Sequence, residues 1–79
     1  MRYFFDIILG QENMISDHQG LELEDVDAAQ AAAVRSICDL SQELIKNKRL
    51  VNPVVAIRDE RGPLMSVTLN FKIEHDRVS

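Results

Sequence analysis

The chain has 79 residues, 46% of them apolar and 28% charged, with a formal charge of −4 and a pI near 5. That is enough for one small domain over residues 1–79 with a thin core, unlike a disordered chain, and too acidic for a general binder of phosphate backbones. One cysteine, Cys38, cannot close an internal disulfide, no apolar run approaches the roughly 20 residues of a membrane-spanning helix, and the first residues lack a signal peptide's apolar stretch, so a cytoplasmic protein with no membrane partner is expected.

Residues 3–9 are rich in aromatic and β-branched side chains and alternate Tyr3, Phe5, Ile7 and Leu9 with Phe4, Asp6 and Ile8, which predicts a strand. Gly10-Gln11-Glu12-Asn13 reads as a polar turn. Two short arms, residues 14–16 and 21–24, then flank the tetrapeptide Asp17-His18-Gln19-Gly20. Asp at the first position of a turn accepts bonds from backbone N–H groups just ahead, and Gly takes the left-handed conformation that closes it. The expected arrangement is a hairpin in which Asp17 faces Leu21 and Ile15 faces Leu23.

Asp25 is the expected N-cap of a long helix, with Asp27 adding charge that the helix dipole favours. At about 100° per residue, Val26, Ala29, Ala33, Ile37, Leu40 and Leu44 fall within a sector of roughly 80°, while Arg35, Asp39, Gln42, Glu43 and Lys46 gather opposite. The alanines of residues 28–33 supply helix propensity and small volume for close approach to a sheet. Arg35 and Asp39 are spaced for a surface pair. Cys38, on the flank of the helix, reads as a half-buried structural thiol.

Beyond the basic residues Lys46, Lys48 and Arg49, which suit a helix C-terminus, Pro53 opens a second strand pair, residues 54–58 and 64–74, around Asp59-Glu60-Arg61-Gly62. Met65, Val67, Leu69, Phe71 and Ile73 alternate with Ser66, Thr68, Asn70, Lys72 and Glu74, the pattern of a strand with one wet face. Placing Asp59 opposite Pro63 sets Ile57 across from Met65 and Val55 across from Val67. The predicted fold is therefore two-layer α+β, in the order β-β-β-α-β-β, with one long helix on one face of a small antiparallel or mixed sheet.

A single helix covers one sheet face, yet the same parity sends Phe4, Ile8, Val54, Ala56 and Leu64 to the other. These five form the predicted interaction face, for a second copy of the chain or for another protein, because contiguous apolar patches are uncommon on monomers. Edge pairing between sheets is a further route to a homodimer. The plainer reading is scattered surface apolars around the charged Asp6 and Arg58.

No constellation of residues specifies a reaction. His18, with Glu22, Glu24, Asp25 and Asp27 downstream, fits neither a calcium loop nor a zinc site and reads as turn and helix cap. His75 and Asp76 read as solvated tail. Cys38 has no positioned base, and Gly10, Gly20 and Gly62 are too dispersed to cradle a phosphate. No catalytic residue, metal or cofactor is expected, and the charges around Tyr3, Phe4 and Phe5 are wrong for a nucleic-acid stacking platform.

The opening Arg2-Tyr3-Phe4-Phe5-Asp6, the Asp17-x-x-Gly20-Leu21-Glu22-Leu23 turn and the helix start Asp27-Ala28-Ala29 together resemble the small bacterial domains of unknown function that begin with Arg-Tyr-Phe-Phe-Asp and end in a strand, Asp-x-x-Gly, strand hairpin. The resemblance implies a stand-alone bacterial domain and supports the strand, helix, hairpin order. It brings no activity and no site residues. In topology alone the chain also resembles the antitoxin subunits of bacterial RNA-targeting toxin–antitoxin pairs, without the DNA-binding segment that would complete one. The function expected is thus a self-associating protein-interaction or regulatory accessory domain, with an antitoxin-like module for a toxin or RNA partner as the alternative.

Overall fold

The computed structural model describes residues 1–11 and 13–77. In chain order its elements are β1 (Arg2–Leu9), β2 (Asn13–Ile15), β3 (Leu21–Glu22), the helix α1 (Val26–Lys46), β4 (Pro53–Asp59) and β5 (Gly62–Thr68). The fold is α+β, with one helix over an antiparallel sheet ordered β2-β1-β4-β5, β3 also pairing with β1. The first strand lies beside β4, a placement the sequence leaves open. Glu12, part of the predicted first turn, lies outside the described residues.

The helix starts where the N-cap is expected: Asp25 Oδ1 accepts the Ala28 N–H at 2.9 Å. It ends with Arg49 N–H donating to Leu44 O and Lys48 N–H to Ile45 O, the six-to-one and five-to-two bonds of a left-handed helix stop. Lys48 takes the left-handed turn at φ 59, in a place where glycine is the usual residue. Ala29, Ala33, Ile37 and Leu44 are buried as predicted and meet Tyr3, Val55 and Ile57 of the sheet, with Phe5, Leu23, Met65, Val67 and Leu69 packed around them. The alanines let the backbone come close. Val26, the first residue of the helix, is instead 39% exposed, and Ser41 takes an unpredicted core position by donating its hydroxyl to Ile37 O at 2.7 Å. Cys38 is exposed rather than half-buried, since it turns away from the sheet by more than a right angle. Arg35 and Asp39 are not among the ion pairs of the described residues.

Three strand expectations need correction. The arms around Asp17 do not pair with each other. Both pair with β1, end to end, Ile7 opposite Ile15 and Tyr3 opposite Leu21, so Ile15 does not face Leu23. A three-residue and a two-residue arm make a marginal hairpin by themselves, whereas the eight-residue β1 offers both a rigid template. Asp59 pairs with Gly62, not Pro63, and Leu64 is the extra residue that restores the predicted Ile57–Met65 and Val55–Val67 pairs. The last strand stops at Thr68, well short of residue 74, because its partner β4 begins at Pro53. Beyond it, Leu69 N–H still reaches Pro53 O, and Phe71 N–H donates to Asn52 Oδ1.

Candidate functional site

The sheet face away from the helix is built from the alternate residues of β1, β4 and β5. Registry puts Phe4 beside Arg58, Asp6 beside Ala56 and Ile8 beside Val54, with Ser66 next to Ala56. Ala56 is the short side chain at the centre, and the longer Ile8, Val54, Leu64 and Arg58 stand around it, leaving an open dish of about 440 Å³. Four of the five residues assigned to an interaction face from sequence, Ile8, Val54, Ala56 and Leu64, line this dish. The fifth, Phe4, shares the face but sits at its margin, beneath the Arg58 guanidinium, whose carbon lies 4.5 Å from the ring centroid. That stacking contributes about 0.5–1 kcal/mol. Gly20 packs on the same ring, close enough that a Cβ there would stand 2.9 Å from it.

The polar end of the dish is an ion pair locked to a loop. Arg58 Nε donates to Asp6 Oδ2 at 2.9 Å, and Arg58 Nη2 donates to Asp17 O at 2.6 Å. Asp6 Oδ1 accepts the Asp17 N–H at 2.9 Å. Asp17 in turn spends its carboxylate on backbone: Oδ1 accepts from Gln19 and Gly20, and Oδ2 from Phe5 N–H, each at 3.1 Å. A side chain here takes the place of a strand partner. Residues 16–20 oppose only Phe4, Phe5 and Asp6 on β1, so the edge strand bulges outward and its ladder is bridged by Asp17.

Burial alone would raise the Asp6 carboxyl, but the Arg58 hydrogen bond, the Asp17 N–H and the guanidinium charge together outweigh it and hold it below its ordinary value. Asp17 is likewise pushed up by burial and pulled lower on balance by the N–H groups of Gly20, Phe5 and Gln19 and by Arg58. The charged form of both carboxylates is thus favoured. Among the described residues no buried side-chain nitrogen or oxygen lacks a partner.

The sequence pairs neither Asp6 with Arg58 nor Asp17 with Phe5. The first link has a readable signal, since Asp6 and Arg58 share a face once β1 is set beside β4; the second has none, because it depends on β2 and β3 abandoning the hairpin. His18 is exposed in the loop, and Glu22, Glu24, Asp25 and Asp27 are all exposed. No three His, Cys, Asp or Glu side chains of the described residues converge as metal ligands. Chemically, the face offers an apolar hollow and a rim whose one cation is balanced by the carboxylate next to it.

A two-layer α+β domain of this kind, with a neutral apolar dish on its open sheet face, defines a class by architecture. The chain belongs to the family described as Domain of unknown function (DUF6894), which it matches over residues 2–70. No curated protein matches it, and no solved structure does. No helix of the described residues is long and apolar enough to cross a membrane.

Proposed function

We propose that the chain is a non-enzymatic protein-interaction domain of the bacterial cytoplasm that self-associates through the open face of its sheet. The observation that carries this reading is the dish lined by Ile8, Val54, Ala56 and Leu64, whose flanking charges, Asp6 and Arg58, neutralise one another. In a two-fold contact each residue near the axis meets its own copy, so an interface with net charge repels itself. The formal charge of −4 is carried elsewhere, on exposed residues such as Asp25, Asp27, Asp39 and Glu43 of the helical layer, leaving the dish free to meet a second dish.

An antitoxin-like role with an RNA partner gains no support from this face, because the cation lining the dish is already committed to Asp6 and to Asp17 O. Light scattering across the micromolar range tests the proposal. Wild type is expected above the monomer mass, and Ile8→Glu, which drops an unpaired charge into the dish, is expected to halve that mass with the far-ultraviolet circular dichroism unchanged. A mass that Ile8→Glu leaves untouched ends the reading of this face.

A further inference from the structure

The two edges of the sheet differ. One, formed by β2 and β3, is broken by the Asp17 bulge, a device that blocks further pairing. The other is β5, which pairs only with β4. Past the Pro63 and Leu64 irregularity no other strand of the described residues pairs with it. Leu69 N–H and Phe71 N–H both point back toward the β4 side, to Pro53 O and Asn52 Oδ1. By the alternation of an antiparallel strand, Ser66, Thr68, Asn70 and Lys72 then turn their N–H and C=O groups outward.

The apolar pattern also outruns the pairing. Met65, Val67, Leu69, Phe71 and Ile73 keep one parity over nine residues, yet β5 ends at Thr68, and Ile73 is left 63% exposed. A second apolar stripe runs along the helix: Val34 at 44% exposure, the exposed Cys38, and Ile45 at 51% lie roughly 100–140° from the core-facing direction. Strands β3 and β4 are parallel, each antiparallel to β1 between them, so β3-α1-β4 is a crossover unit. The right-handed sense that nearly all such units take turns this stripe toward the β5 edge. An unfinished strand and an uncovered helix flank therefore border the same free edge.

We propose that residues 65–73 of two copies pair antiparallel about a two-fold axis at Leu69, joining two sheets into one. This deepens the self-association proposed above but stands on a separate surface. In that register Leu69 faces Leu69 of the second copy, Val67 faces Phe71 and Met65 faces Ile73, so all five apolar side chains stay on the helix side. Thr68 faces Asn70 and Ser66 faces Lys72, which are the residues with outward backbone groups, and no like charges meet. The second copy's Phe71 and Ile73 lie over the uncovered stripe of the first helix. Beyond Thr68 the chain gains a partner strand that β4 does not supply.

Light scattering of single variants separates this contact from the one across the open face. Thr68→Pro deletes an outward N–H at an edge, where proline is tolerated within the hairpin; it is expected to halve the mass and weaken association about tenfold or more. Combined with Ile8→Glu it is expected to give a monomer. The register has its own readout that does not depend on the proline variant folding. With Cys38→Ser as background, Leu69→Cys is expected to form an intermolecular disulfide under mild oxidation, because directly opposed Cα atoms about 4.5 Å apart suit one. Asn70→Cys, two residues out of step with its copy, is expected to stay reduced. A mass unchanged by Thr68→Pro, or cross-linking at Asn70→Cys as readily as at Leu69→Cys, overturns the proposal, whether or not Ile8→Glu acts.

Discussion

Asp17-x-x-Gly20 and Asp59-x-x-Gly62 share a spacing and a local hydrogen-bond pattern, and they build different things. Around Asp59 both flanking strands are seven residues long and pair with one another, so the tetrapeptide is a tight hairpin whose carboxylate serves only its own turn, accepting Arg61 N–H at 2.8 Å. Around Asp17 the arms are too short to pair alone. They align on β1 instead, and the carboxylate reaches twelve residues back to Phe5 N–H while the loop closes over Phe4 and joins the Asp6–Arg58 pair. The motif specifies a turn; the length of the flanking strands decides whether that turn is local or part of the tertiary structure.

The most severe way to break the contrast is to remove the cation that only the first loop uses. Arg58→Met leaves Asp6 charged and buried and Asp17 O without its donor, and is expected to cost about 3 kcal/mol, at the low end for a broken buried pair because the Arg58 side chain keeps 35% of its surface in water. Urea unfolding measures it, and a loss under 1 kcal/mol, roughly a surface ion pair, would mean the network is ornamental.

The glycines sharpen the comparison next. At Gly20 (φ +73) a methyl group would stand 2.9 Å from both Phe4 and Arg2 side-chain carbons, while at Gly62 (φ +122) it would meet nothing within 4 Å. Gly62→Ala, at a φ well beyond the left-handed helical region, is expected to cost about 2–3 kcal/mol from backbone strain alone, whereas Gly20→Ala, near that region, adds to about 1 kcal/mol of strain a further cost of about 1–2 kcal/mol for crowding Phe4. A Gly20→Ala loss of no more than about 1 kcal/mol would show that the loop over Phe4 gives way freely. The aspartates come next: Asp17→Ala, which removes three accepted bonds, is expected to lose about 2 kcal/mol, and Asp59→Ala, which removes one, about 1 kcal/mol.

The smallest expected effect is in pH. Asp6 and Asp17 titrate below their ordinary values when folded, so the stability they contribute is full above the unfolded carboxyl value of about 4 and is lost as pH falls through the lower folded values. Unfolding free energy should therefore decline below about pH 4, and Asp17→Ala should flatten that decline. An acid limb equally steep in Asp17→Ala would place the protons elsewhere.

Much of the fold is legible along the chain because its signals are local. Asp25 caps the helix it precedes, the period of Ala29, Ala33, Ile37 and Leu44 names the buried stripe, and parity puts Ile57, Met65, Val55 and Val67 on one face, while their exact pairing rests on the irregularity at Leu64. The dish is legible in the same way, since alternate residues of strands must share a face. Phe4 shows the limit of that reasoning: parity puts it on the open face, but Arg58 and Gly20, far away in sequence, cover it. Ser41 shows another, because a hydroxyl that satisfies itself on Ile37 O can sit where only an apolar residue is sought.

Taken by itself, the amino-acid order determined which segments are helix and strand, where the helix begins, and which side chains face together, all consequences of periodicity and of groups a few residues apart. Only the tertiary structure decided that β2 and β3 lie on β1, that β5 ends at Thr68, and that Asp6, Asp17 and Arg58 form one network. Each of those outcomes turns on which partner is available across space to satisfy a backbone group or a charge, and availability is set by the whole assembly of strands.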